Sequence, residues 1–256
     1  MGLRIEHPQT LINQYQYGCK EHDTLGAAAY KLAHKAASGR GIYSFCMCPG
    51  GYVVNASSEK NMLAVNGMSY QDRASKNANS AMIVTVTPDD YGNKGPLSGV
   101  EFQRELERTA YGLGGGKIPL QLFGDFKENR RSTGLGLVTP CLKGDWSFAN
   151  LRELFPSYIS SALQEGITYF DRMIQDFQGM TQCSQVWRAA PPPRCGSFGT
   201  EGLESSLRGL YPCGEGAGYA GGIMSAAMDG MKVLKLSPEN TVPSTKTRMI
   251  KKFLME

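Results

Sequence analysis

The sequence predicts an α/β protein: a β-rich part built on a mixed sheet, followed by the closing strand and helix of a Rossmann-like unit. Three observations predict it. Short β-branched and aromatic runs crowd the first half, and helical apolar spacing dominates the second. A glycine-rich segment after residue 213 then leads into a helix of small residues. With 256 residues the chain can bury a core in one large domain or two modest ones.

Residues 3–6 read as a strand, and residues 24–38 stay open between helix, for their alanines, and strand. Residues 42–48 (IYSFCMC) read as a strand, and Pro49-Gly50-Gly51 forces a turn. Short strands follow at 52–54 and 62–65, and 81–86 (AMIVTV) is a β-branched run. Residues 98–113 carry helical spacing in Val100, Phe102, Leu106 and Ala110, with Glu101–Arg104 and Glu105–Arg108 as charged neighbours. Residues 147–173 form a second helical region interrupted at Pro156. Pro191 to Pro193 is extended, 209–213 (GLYPC) is a short buried strand, and 221–233 is a helix. The remainder is a polar tail.

Composition narrows the function classes. Hydrophobic residues at 41% and charged residues at 20% fit a folded globular chain rather than a disordered one. The net charge of +4 is spread out, and its basic clusters at 127–131 and 246–252 interleave no aromatics, which argues against nucleic acid. Seven cysteines at scattered spacings, with no CxxC and no Cys/His cluster, predict no metal site and fit a reducing cytoplasm. No stretch approaches the ~18 apolar residues of a membrane span, and no secretory leader is legible.

Segment 209–231 carries Gly216, Gly218 and Gly221 in G-x-G-x-x-G spacing. Glycines let the backbone approach a phosphate or ring edge, and a helix start offers free N–H groups. Glu215, between Gly214 and Gly216, is placed to accept hydrogen bonds from sugar-like hydroxyls. The segment runs into a polar tail rather than a second strand, so it reads as the end of a Rossmann-like unit rather than its opening. The bland alternative is a glycine turn that packs a helix on a sheet.

Cys46 and Cys48, two apart on a strand, should share one face, beside a sharp turn at Gly50 and Gly51. Either sulfur could serve as proton donor or redox thiol. The bland reading is a pair of small core residues, since no His or Lys adjoins them in sequence. Asn55, Ser57 and Ser58 read either as polar groups that orient a ligand or as turn residues bonding their own backbone. Glu6-His7 reads either as an acid/base couple or, the favoured reading, as a surface strand end, and Asp125 as a strand-end residue facing a cleft or a cap of the next turn.

GLYPCGEGAGYAGGIMSAAMDG (209–230) resembles the C-terminal flavin-contacting motif of an uncharacterised family of FAD-dependent dehydrogenases. The resemblance continues through RIEHPQTLIN (4–13), FCMCPGGYVVNASSE (45–59), NGMSYQDR (66–73), NANSAMIVTV (77–86) and GVEFQRELER (99–108). It implies a substrate domain over residues 1–205, a returning FAD-domain segment over 206–235 and a tail over 236–256. By this resemblance Gly214, Glu215, Gly216, Ala217, Gly218, Gly221, Gly222 and Ile223 would contact FAD. Gly50, Gly51, Asn55, Ser57 and Ser58 would face a small-molecule substrate, with Cys46 and Cys48 as candidates for the chemistry. The family's opening glycine-rich βαβ unit has no counterpart in this sequence, which leaves room for a separate FAD-domain chain as partner. The rival expectation is a non-catalytic binding module that keeps the substrate-domain fold without flavin.

Overall fold

The strand read at residues 3–6 is β1 (Gly2–Pro8), and it lies at the centre of the main sheet. The fold comes from a computed structural model that describes residues 1–22, 24–92, 95, 97–180, 182–184, 203–220 and 222–236. Contacts divide the chain into two units, Met1–Asn93 with Val100–Ala189, and Lys94–Gly99 with Ala190–Glu256.

In the first unit β1 runs into α1 (Gln9–Tyr17), followed by β2 (Ala33–Lys35), β3 (Gly41–Cys48), β4 (Gly51–Asn55), β5 (Val65–Ser69) and β6 (Asn77–Val84). Next come α2 (Pro88–Tyr91), α3 (Ser98–Gly114), β7 (Ile118–Leu122), α4 (Phe123–Lys127), β8 (Leu142–Lys143) and β9 (Trp146–Phe148). A 3-10 turn (Leu151–Leu154), α5 (Ser157–Phe170), α6 (Phe177–Met180) and β10 (Gln182–Ser184) complete it. The main sheet has the order β2-β3-β6-β1-β10-β7-β9. All its pairs are antiparallel except β7 with β9, so it is mixed, as the sequence predicts. A second sheet has the order β5-β4-β8.

Strand alternation decides what each face buries. Leu3 and Ile5 of β1, with Ala78, Met82 and Val84 of β6, join the large core. Leu106 of α3, Phe123 and Phe126 of α4, and Ile159, Leu163, Ile167 and Phe170 of α5 pack into the same cluster. The opposite face of the same two strands carries Arg4, Glu6, Asn77 and Asn79, all buried. The second sheet covers that polar face, with Val53, Leu63, Val65 and Ile118 forming its own small core. Both β1 and β6 are therefore buried on two sides.

Several expectations are corrected. Glu6 and His7 are fully buried rather than at a surface strand end. Residues 9–17 form a helix that the sequence reading missed, and β5 lies at Val65–Ser69 rather than 62–65. The alanine-rich run contributes only the three residues of β2. Asp125 sits inside α4, where it accepts from Ser132 Oγ at 2.5 Å and pairs with Arg130. Arg104 bonds Glu59 from another segment rather than a helix neighbour.

In the second unit the helix read at 221–233 is α7 (Ile223–Leu236). Residues 209–213 are not a strand: Gly209 has φ +82°, Leu210 is half exposed, and Pro212 offers no N–H to a ladder. Pro191 to Pro193, Gly221 and residues 237–256 lie outside the described residues.

Candidate functional site

The pairing of β3 with β6 is regular from Ile42–Val84 to Phe45–Ala81 and then slips, the next pair being Cys48–Asn79. The extra residue makes a bulge, and Cys46 takes φ +43°, the left-handed region uncommon for a side-chain-bearing residue. Simple alternation therefore fails here: Cys46 is exposed and Cys48 only half-buried. The turn that follows is locked. Gly50 has φ +47°, and a Cβ there would stand 1.6 Å from the Arg73 carbonyl oxygen. Gly50 N–H donates to Gln9 Oε1 at 2.7 Å, and its carbonyl accepts from Ser75 N at 3.2 Å. Ser69 Oγ donates to the Pro49 carbonyl at 2.7 Å.

Beneath the bulge lies Arg4, with no exposed surface. Its Nε donates to Asn79 Oδ1 at 2.6 Å, and its Nη2 donates to the Cys46 carbonyl at 2.6 Å and to Cys48 Sγ at 3.3 Å. Burial pulls the guanidinium down from its ordinary value, while the Cys48 and Cys46 sulfurs favour its charge. One buried cation thus holds both the bulge backbone and a sulfur. Across the strand pair, Glu6 Oε1 accepts from Asn77 Nδ2 at 3.1 Å and Cys141 N at 2.9 Å. Burial raises the Glu6 carboxyl above the usual carboxylate range, and these two bonds oppose it. His7 points to the other face, so Glu6 and His7 do not form a couple.

The same turn backs onto a cavity of about 600 Å³ at the start of α1. Its walls come from Pro8 to Thr10 and Asn13, from Lys20 to His22, from Arg73 to Asn77, and from Leu137 to Thr139. Gln9 N–H donates to the Lys76 carbonyl, which joins the helix start to the loop before β6.

In the second unit the glycine loop is a run of tight turns. Gly214 has φ +73° and Gly218 φ +82°. Gly218 N–H bonds the Glu215 carbonyl, and Tyr219 N–H and Ala220 N–H both bond that of Gly214. Asp229 of α7 accepts from Gly214 N–H at 2.8 Å, tying the loop to the helix. Ala217 and Ala220 are buried, whereas Glu215 and Gly216 are exposed.

Residues 1–184 match the family model described as "FAD-dependent protein, C-terminal domain-like". The chain belongs to this family. An uncharacterized protein of Clostridium beijerinckii is 49% identical over 240 residues, which cover 91% of this chain and 45% of that protein. The chain thus spans less than half the length of that curated relative. The FAD-dependent family makes this a flavoprotein-associated domain of mixed α/β fold.

The glycine loop lies beyond the residues that this family model matches. A Cβ at Gly216 would meet nothing within 4 Å, and one at Gly214 or Gly222 only single side-chain atoms at 3.6 Å. Of these three only Gly216 is exposed, so bare backbone faces outward there alone. In the first unit the structure brings Cys46, Cys48, Gly50 and Gly51 into one turn. Asn55 ends β4, about 13 Å from Gly51 at the other end of the strand, and Ser57 and Ser58 follow it outside the strand. Asn55 Oδ1 accepts from Ser57 N and Ser57 Oγ from Ala64 N, the bonds of a self-bracing turn. Arg4, Gln9 and Arg73 were missed by the sequence reading. Their signal was present but unread: polar residues alternate with apolar ones on β1, a pattern also shown by a solvent-facing strand. No helix among the described residues is long and apolar enough to cross a membrane.

Proposed function

We propose that this chain is the substrate-facing part, with the returning flavin-contacting segment, of an FAD-dependent oxidoreductase acting on a small organic substrate. The observation that carries the reading is the exposed Glu215-Gly216 step of the glycine loop in a chain of the FAD-dependent family. Gly214, Glu215, Gly216, Ala217, Gly218, Gly221, Gly222 and Ile223 would hold the cofactor, Glu215 by accepting from hydroxyls. When bound, FAD supplies the hydride chemistry. The chain's own residues orient and shield. Cys46 and Cys48 offer sulfur groups on a bulge that Arg4 holds in place, and the buried turn at Gly50 and Gly51 keeps that bulge rigid. Asn55, Ser57 and Ser58 would serve only a substrate that extends along β4.

The 45% share of the relative leaves room for a flavin domain supplied by another chain, and we propose that partner as well. The experiment is retention of FAD by purified protein after gel filtration, read as flavin absorbance. Retained flavin that Gly216→Val abolishes fits the reading. Colourless protein that quenches no FAD fluorescence even with excess cofactor overturns cofactor binding by this chain and favours a binding module without flavin.

A further inference from the structure

We propose that the cavity at the start of α1 binds the oxyanion, phosphate or carboxylate, of a small molecule. Four features of this cavity converge. The helix begins without a side-chain cap, and no acidic residue lies in its first turn. Gln9 N–H is taken by Lys76, and the next first-turn amides, those of Thr10 and Leu11, have no carbonyl within the helix. A helix N-terminus of this kind carries partial positive charge and N–H groups set for an anion.

The charge around it has the same sign. Lys20, His22, Arg73 and Lys76 line the cavity, against the single carboxylate of Glu21. Among the described residues Lys20, Arg73 and Lys76 form no ion pair. Three cations gathered without a carboxylate partner repel one another, and a bound anion relieves that repulsion.

The cavity wall also contains a polar group with nothing to bond. Ser75 is 9% exposed and lines the cavity, and its Oγ has no hydrogen-bond partner among the described residues. A buried hydroxyl without a partner is costly, and an oxyanion oxygen would accept its proton. Arg73 is fixed beside it, since its carbonyl packs on Gly50 where no larger residue fits. The locked turn thereby positions the loop that carries Arg73, Ser75 and Lys76 over the helix start.

The assignment does not depend on flavin, so it is tested on the full chain without FAD. Inorganic phosphate and succinate are titrated separately at constant ionic strength, and amide resonances are followed by heteronuclear NMR. Saturable shifts at Thr10, Leu11 and Ser75 with either anion are expected, and the tighter of the two names the group. Arg73→Gln and Lys76→Gln, both on exposed side chains, should each weaken binding about tenfold. Ser75→Ala should weaken it as well, whereas a merely structural Ser75 would leave affinity unchanged. Lys35→Gln, on the edge strand β2, removes the same charge and should change nothing. Shifts that stay linear with both anions, or saturable shifts that Arg73→Gln and Lys76→Gln leave intact, overturn the site. Neither result bears on FAD retention, so the two readings fail separately.

Discussion

Gly67 of β5 lies where the second sheet meets the Arg4 guanidinium: a Cβ there would stand 1.7 Å from Arg4 Nη2 and 2.3 Å from Asn79 Oδ1. Gly67→Ala must therefore push the buried guanidinium off its acceptors, at a cost of about 1–3 kcal/mol for overpacking. Urea denaturation should show that loss, and an unchanged midpoint would mean that Arg4 has room to move. His7 makes a second prediction. Burial pushes its imidazole down to about 3, and Nε2 lies 3.0 Å from the Phe177 carbonyl, to which it donates as the neutral ring. The unfolded chain takes a proton near the ordinary value of 6.5 while the folded chain does not. Stability from His7 is thus full above 6.5 and falls as pH drops toward 3, by up to about 1.4 kcal/mol per pH unit. Glu6 works in the opposite sense, because its raised carboxyl favours the folded state at low pH and loses that advantage as pH rises through its folded value. His7→Phe should flatten the denaturation midpoint between pH 6 and 4, which follows from the values just given. A slope that persists would assign the acid loss elsewhere. Neither residue was legible in sequence. Burial of Glu6 and His7 follows from layers on both faces of β1, and a single strand does not announce a second layer.

Among the elements, α5 was legible because its apolar residues keep helical spacing, but the helical region read at 147–173 begins only after Pro156, with β9 and the 3-10 turn before it. What the spacing could not show is why Gly166 interrupts its middle. A Cβ at Gly166 would meet Ile42 Cγ2 at 2.7 Å and Cβ at 3.1 Å, so the glycine lets α5 lie close on β3. Alanine gains about 1 kcal/mol of helix propensity, but a branched side chain on a strand cannot swing aside. Gly166→Ala should destabilise by about 1–2 kcal/mol net, and adding Ile42→Val should recover part of that, giving a non-additive double-mutant cycle. Additive effects would mean that the helix simply shifts. α1 was missed for a different reason. It is nine residues long, starts at a proline without a side-chain cap, and carries neither acidic residues in its first turn nor basic ones in its last. The strand expected at 209–213 rested on three apolar residues, too few to outweigh Gly209 and Pro212.

For the whole molecule, core membership is the informative quantity. Among the described residues, both apolar clusters draw every member from the first unit, the last being Phe177. The main sheet closes with β10 at Ser184, also in that unit. In the second unit α7 exposes Ile223, Met224 and Met228 by more than half, and among the described residues Ala217 and Ala220 of the glycine loop are the unit's buried apolar ones. An isolated helix of 14 residues is marginal in water. The family model ends at residue 184, which places the family's signature on the first unit. A chain ending at residue 189 should therefore unfold cooperatively, with its midpoint within about 4 °C of the full chain, the shift that ~1 kcal/mol produces in a domain of this size. Residues 190–256 alone should show little helix by circular dichroism. Calorimetry of the shortened chain decides the point. A broad or absent transition would mean that the first unit's core depends on residues beyond 189, and that the second unit is a structural part of the fold.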